Sequence, residues 1–300
     1  MRRATFERTP KSLLIGIGVT LLGGALWGVN ATVSKILMSD YGADPLWIAS
    51  IRQLCAGMLF LAAAGATKPK LLTGAVRDVR SYPVYLLGAL ICVMATQVTY
   101  LNAIKWTNSG TATVLQTLNL LFVLAWVCLR GRRLPGKRET LGVALAFMGT
   151  VLIATGGDLT TLTLPLAGLM WGLGDALATA TMSILPVKVM GRYGNFTVNG
   201  LMFLISGVIL CAVVRPWAPA PQLAALGFGL LVFTVIGGTF GAYWLYMSGV
   251  MRIGAMRATM LGTSEPVLAT ISAVALTGAV FTPVDLVGFA MILAMVFLVR

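Results

Sequence analysis

Apolar residues fill this chain in long, nearly unbroken stretches rather than in alternation, and ten of them approach the length a helix needs to cross a bilayer. A hydrocarbon core of about 30 Å takes about 20 helical residues per crossing. The approximate bounds are 13–38, 45–66, 82–104, 108–129, 139–156, 164–187, 197–214, 223–248, 255–277 and 284–299. Strands of a membrane barrel would be about half as long and would alternate in character. The pattern therefore predicts an all-α integral membrane protein with ten transmembrane helices.

One phrase occurs twice, as Gly24-Ala25-Leu26-Trp27-Gly28 and, 144 residues later, as Gly168-Leu169-Met170-Trp171-Gly172. Paired glycines weaken a soluble helix but let helix backbones approach closely in lipid. The same offset aligns Tyr100 with Trp244 and Gly110 with Gly254, and beyond it Leu141-Gly142 matches Val287-Gly288 with a slip of about two. The expected layout is a cytoplasmic segment 1–12 and two five-helix repeats, 13–156 and 157–300. Five crossings is an odd number, so the second repeat is inverted relative to the first. Inverted repeats place a solute cavity near the midplane between the halves, where rocking exposes it to each side in turn.

Composition agrees. Hydrophobic residues make up 58% of the chain, charged residues 10%, and mean hydropathy is +0.91, outside the range of soluble domains. The excess of 22 Lys and Arg over 9 Asp and Glu would suggest nucleic acid in a soluble protein. Here the positions set orientation instead. With the N-terminus cytoplasmic, 18 basic residues fall inside, among them Arg2, Arg3, Arg8, Arg130, Arg132, Arg133 and Arg300, and only Lys105 and Arg215 fall outside. Both termini are then cytoplasmic and no nucleic-acid partner is expected. The basic N-terminus followed by an apolar run resembles a signal peptide, but no small-residue cleavage site follows, and it reads as the first helix.

Several chemistries are disfavoured. The chain has no histidine, and Cys55, Cys92, Cys128 and Cys211 lack metal-ligand spacing. They read as packing residues, and no metal or cofactor is expected. No G-x-x-x-x-G-K-[ST] loop is present to drive transport with a nucleotide. An intramembrane enzyme would have only a pair of carboxyls to work with.

The stretch from Gly24 to Lys35, followed by Asp44-Pro45-Leu46-Trp47-Ile48-Ala49-Ser50-Ile51-Arg52, resembles the opening two helices of EamA-type carriers of the drug/metabolite transporter superfamily. Tyr246-Met247-Ser248-Gly249-Val250-Met251-Arg252-Ile253-Gly254-Ala255, then Ser264-Glu265-Pro266-Val267, is similar to the passage from helix eight to helix nine of the same family. The resemblance covers nearly the whole chain. It implies ten helices in a bacterial inner membrane and export of small metabolites such as amino acids through a cavity lined mainly by helices one, three, four, six, eight and nine. The Trp and Tyr content of those helices is most similar to that of bacterial aromatic amino acid exporters. The sequence departs from the family in two places: the fourth helix lacks the proline often found near Asn119-Leu120-Leu121-Phe122, and the second half has no counterpart of Arg52.

Polar and aromatic residues within the spans are the candidate substrate contacts. Trp27, about fourteen residues into its helix, lies too deep for an interfacial belt; Trp171 is shallower. Either packs against its glycines or forms a flat cavity wall. Asn30 follows one turn after Trp27. Gln97 and Tyr100 share a face of helix three, and Thr113, Gln116 and Asn119 share a face of helix four. Such faces turn toward protein or water, as interhelical bonds or as cavity lining. Helix eight carries Thr239, Tyr243 and Tyr246, with Trp244 set off from that stripe.

Four ionisable residues lie inside the spans. Lys35 is near the outer end of helix one and either snorkels or carries a functional charge. Arg52, about 10 Å deep, reaches a helix end, a carboxylate or a substrate. Asp175 and Glu265 sit near the bilayer centre, where burial disfavours a carboxylate. Each can pair with a cation, bind a substrate ammonium or exchange protons, and Glu265 can also satisfy backbone groups freed by Pro266. The expected partners are the bilayer and a small solute, amino acids with apolar or aromatic side chains foremost, with no obligatory protein partner. The alternative cargo is a cationic drug or metabolite, proton-coupled through Glu265 or Asp175.

Overall fold

The fold is that of a computed structural model describing residues 10–218 and 220–299. Arg2, Arg3, Arg8 and Arg300 lie outside the described residues. The chain forms α1 (Pro10–Ser39), α2 (Pro45–Thr67), the short α3 (Pro69–Arg77), α4 (Val79–Trp106), α5 (Ser109–Gly131) and α6 (Lys137–Thr155). It continues as α7 (Leu166–Met182), α8 (Val187–Tyr193), α9 (Asn195–Val214), α10 (Ala225–Ile253), α11 (Ala255–Gly262), α12 (Ser264–Thr277) and α13 (Pro283–Leu298). Among the described residues there is no strand.

Seven of these helices are long and apolar enough to cross a bilayer. An eighth span is formed if α7 and α8, bent by 47° across their break, count together. α12 has 14 residues and α13 has 16, short of a straight crossing. The short count has a local cause in α12: the apolar run predicted over 255–277 is interrupted at Thr263, ahead of Pro266.

End groups are satisfied locally. Asp44 accepts from the Leu46 amide at 2.8 Å with Pro45 in the first turn of α2, Asn108 accepts from Thr111 N at 2.8 Å at the start of α5, and Thr282 and Asp285 cap α13 reciprocally. At the other end of α4, the Lys35 ammonium donates to the carbonyls of Ile104, Lys105 and Thr107 at 3.0, 2.9 and 3.0 Å. One three-donor cation thus closes a helix terminus from a neighbouring helix.

Besides the 3-10 turn Val79–Ser81 that opens α4, four segments depart from α-helical pairing. α4 opens into π-helix over Gly88–Met94 and α10 over Ile236–Gly241, where Thr239 Oγ1 bonds the Thr234 carbonyl at 2.7 Å. α5 tightens at Thr117 and Leu118, whose amides bond back three residues to Val114 and Leu115, at 3.1 and 3.0 Å. This break forms without a proline. The fourth is the interruption at Thr263 between α11 and α12.

Packing is reciprocal across the sequence midpoint. α1 lies against α10 and α12, while α7 lies against α4 and α5; α2 packs on α9, and α6 on α13. Small residues set the distances. A Cβ on Gly28 would stand 2.5 Å from the Glu265 carbonyl oxygen, and one on Gly172 would stand 2.6 Å from Leu115 Cδ1, so both copies of the repeated phrase serve as close-approach faces. In the α2/α9 seam, Ser206 donates to Gln53 Oε1. Phe60 of α2 stacks edge-on to Tyr243 of α10 with ring centres 5.2 Å apart.

Candidate functional site

Two adjoining cavities occupy the middle of the bundle. The larger, about 250 Å³, is walled by α1, α2, α4, α5, α7, α9, α10 and α12. The smaller, about 180 Å³, lies against both helix breaks, touching Thr117 and Asn119 on one side and Gly262 and Thr263 on the other. Trp27, Gln116 and Glu265 line both cavities and form the wall they share. More capacious grooves of about 660 and 470 Å³ run between Val76 and Ile205 and between Ile51 and Ile236, but apart from Tyr82, Tyr85 and Cys55 they are lined by apolar residues. A cavity of about 290 Å³ around Asn108, Phe281 and Asp285 is polar too, but its Asn108, Thr282 and Asp285 are engaged as helix caps; the central pair combines charge, amides, hydroxyls and aromatic faces in the middle of the bundle, as a solute site requires.

In the larger chamber the polar side chains hold one another. Arg52 donates through Nη2 to Gln97 Oε1 and reaches Ser34 Oγ at 3.5 Å. Tyr100 and Thr113 share a hydroxyl hydrogen bond of 2.7 Å, which ties α4 to α5. Asn199 donates to the Tyr243 hydroxyl. Asn30 is 6% exposed, its Oδ1 has no hydrogen bond among the described residues, and its side chain occupies the space a Cβ on Gly238 would need. Glycine at that position of the π-helical turn is what admits it.

The smaller chamber holds Asn119 and Tyr246, and the Tyr246 ring lies 5.0 Å from that of Trp27 at a tilt of 46°. Toward the Lys35 end, Thr32 of α1 bonds both Ser109 of α5 and Ser272 of α12 at 2.7 Å. These three hydroxyls, all buried, draw α1, α5 and α12 together just beyond the chambers.

Of the predicted contacts, Trp27, Asn30, Gln97, Tyr100, Gln116, Asn119, Tyr243, Tyr246, Glu265 and Arg52 converge on the chambers. Three do not. Trp171 is 36% exposed and lines neither, because its helix turns the glycine face, not the indole, toward α4 and α5. Lys35 is occupied as the cap of α4. Asp175 is fully buried but stands behind the wall: Thr99 and Thr179 approach its Oδ1 at 3.4 Å, Gln116 is the third polar neighbour, and Oδ2 makes no hydrogen bond of normal length.

The chambers also recruit residues outside the predicted set, chiefly Asn199, Phe60, Thr96, Thr179, Met182 and Phe203. Asn199 had a legible signal. It lies seven residues before Ser206 on the same face of an otherwise apolar helix. No group of three or more Cys, Asp or Glu side chains suited to a metal occurs among the described residues.

Sequence comparison matches the EamA-like transporter family at residues 14–155 and again at 166–300. The chain is 28% identical to the uncharacterized inner membrane transporter YicL of Salmonella typhimurium, with 93% of each chain covered. It is 22% identical to the uncharacterized transporter YwfM of Bacillus subtilis over 91% of this chain and 89% of that one. Identity to the uncharacterized inner membrane transporter YedA of Escherichia coli is 24%, over 91% and 87%. A solved crystal structure at 18% identity superposes with a TM-score of 0.63 over 96% of both chains, a likeness of fold alone.

Proposed function

The chain belongs to the EamA-like transporter family, and from that premise we propose that it exports small metabolites across a bacterial inner membrane by alternating access, with apolar and aromatic amino acids as the preferred cargo. The observation that carries this reading is the central pair of chambers, whose shared wall of Trp27, Gln116 and Glu265 joins an aromatic face, an amide and a carboxyl. A zwitterion with an apolar side chain needs that combination: polar groups for its backbone ends and flat apolar faces for the rest.

The mechanism we infer uses ten spans arranged as two inverted halves, 13–156 and 157–300, with both termini cytoplasmic. The reciprocal packing of α1 on α10 and α12 and of α7 on α4 and α5 supports it, as does the placement of a break in α5 and another between α11 and α12 beside one cavity. Broken helices at a midplane site are a recurrent device of secondary transporters. Cargo in the larger chamber passes to the smaller when the shared wall moves.

The second reading, a cationic drug or metabolite, is favoured by Glu265 lining both chambers. Asp175 does not help it, since that carboxyl lies behind the cavity wall. Counterflow in proteoliposomes, with and without a pH gradient, tests cargo and coupling together. Saturable counterflow of phenylalanine, tryptophan or leucine is expected, and no saturable flux for any amino acid from folded protein would reject the cargo. Thiol labelling of cysteines introduced at each terminus tests the topology, which fails if the two report opposite faces.

A further inference from the structure

We propose that Arg52 is the receptor for a carboxylate on the transported molecule. The inference rests on the transporter reading above and adds to it the chemical group by which cargo is recognised.

Arg52 is 2% exposed and lines the larger chamber. A buried guanidinium is costly unless charge and hydrogen bonds compensate it. Its partners are neutral: the Gln97 amide oxygen and, at 3.5 Å, the Ser34 hydroxyl. Its Nε has no hydrogen bond among the described residues. The ion pairs among them are Arg133 with Glu139 and Arg192 with Asp78, both away from the chambers. Five donors on a planar fork, with neutral acceptors for two, leave the positive charge without a counter-ion among the described residues.

The chamber wall narrows the ligand. A carboxylate matches a single guanidinium in charge and in bidentate geometry, whereas a phosphate dianion would leave a negative charge over. Glu265 lines the same chamber without pairing with Arg52, and Tyr100 lines it with them. A molecule with a carboxylate and an ammonium satisfies both ends at once. Arg52 has no counterpart in the second half, so this recognition belongs to one half only.

The test compares isosteric ligands on the unaltered protein first. Phenylalanine, phenylalaninamide and 3-phenylpropionate are titrated as competitors of labelled phenylalanine binding and as thermal stabilisers of the purified protein. The acid is expected to bind about tenfold or more tightly than the amide, and 3-phenylpropionate to stabilise the protein. Arg52→Gln is expected to erase the preference for acid over amide, and Arg52→Lys to keep part of it.

Equal affinity of the wild-type protein for acid and amide overturns the assignment, as does an Arg52→Gln variant that still prefers the acid. If Arg52→Gln does not fold, the ligand comparison on wild type decides alone. Should no amino acid bind while 3-phenylpropionate stabilises wild type and not Arg52→Gln, the amino acid cargo falls and the carboxylate receptor stands. Amino acid flux with unchanged acid preference in Arg52→Gln keeps the cargo and rejects the receptor.

Discussion

Lys35 sits at the seam between two roles that charge inside a membrane protein can take, and Lys35→Met separates them. Its ammonium supplies one N–H to each of three carbonyls, Ile104, Lys105 and Thr107, at 2.9 to 3.0 Å. Ile104 is fully buried, so its carbonyl finds no water when the ammonium is removed, at a cost of about 1–3 kcal/mol. Loss of a cation at a helix C-terminus adds about 0.3–1 kcal/mol. The Lys105 carbonyl is solvent-accessible and rehydrates, so it adds little. The total is about 1.3–4 kcal/mol, or roughly 10- to 1000-fold in the folding equilibrium. Denaturant titration of the purified protein should show this loss for Lys35→Met and a smaller one for Lys35→Arg, with the apparent KM in counterflow unchanged in the folded fraction. If Lys35→Met denatures like wild type and its transport loses its response to a pH gradient, the capping role is wrong and Lys35 is a coupling charge.

Gly207→Ala should cost about 1–3 kcal/mol by overpacking, because the new Cβ would stand 2.6 Å from Leu54 Cα and 2.9 Å from Gln53 C, backbone atoms that cannot move aside; Gly229→Ala, with nothing within 4 Å, is the neutral control in the same denaturation assay. At one end of the bundle, Asp78 accepts from Tyr193 Oη and Ser81 Oγ at 2.7 Å and pairs with Arg192 at 3.2 Å, and these contacts, the Tyr193 bond foremost, hold its carboxyl below the usual value of 3.8. A depressed carboxyl stabilises the folded state above its unfolded pKa and stops doing so as pH falls through the folded one, so amide protection factors over residues 69–81, corrected for the intrinsic pH dependence of exchange, should be flat from pH 7 to 5 and fall only below about 4; a fall already between 7 and 5 counts against the cluster. Glu265→Gln should weaken an ammonium-bearing cargo by about tenfold or more, whereas Asp175→Asn should leave affinity unchanged, and the reverse ranking in counterflow KM would misplace both carboxyls.

The sequence pattern carried helix type and most positions, because apolar length and end-capping residues act locally. Asp44-Pro45 and Thr282-Pro283 are legible starts for that reason. The stripes Gln97/Tyr100 and Gln116/Asn119 were legible as cavity faces, since a spacing of three fixes a side of a helix. Spacing does not fix depth behind a neighbour, and that is why Asp175 fell one side-chain layer short of the chamber. The repeated Gly-x-x-Trp-Gly phrase shows the same limit. Its glycines do the same packing job in both copies, but Trp27 packs on Tyr246 in a cavity wall while Trp171 turns outward, because the partner helices differ. The break in α5 was not legible, since it forms without the proline that would have marked it.

The irregular backbone is concentrated where the cavities are. The π-helical turns of α4 and α10 and the breaks at Thr117 and Thr263 lie on helices that line the chambers; α2 and α9 line the larger chamber as well, but they, like α6 and α13, run unbroken and pack in the pairs α2/α9 and α6/α13. Breaks in the hydrogen-bond ladder are where a helix bends most easily; glycine-spaced pairs such as α2 on α9, where a Cβ on Gly57 would stand 2.8 Å from Leu204 Cα, resist sliding because backbone meets backbone. In the proposed transport cycle, bending is therefore expected on α4, α5, α10 and the α11/α12 junction, with the paired regular helices as the frame. Gln116 sits one residue before one break and Glu265 two residues after the other, so a bend at either break moves the wall between the chambers directly. Under the proposed alternating access, entry to both chambers is expected to depend on these two hinges.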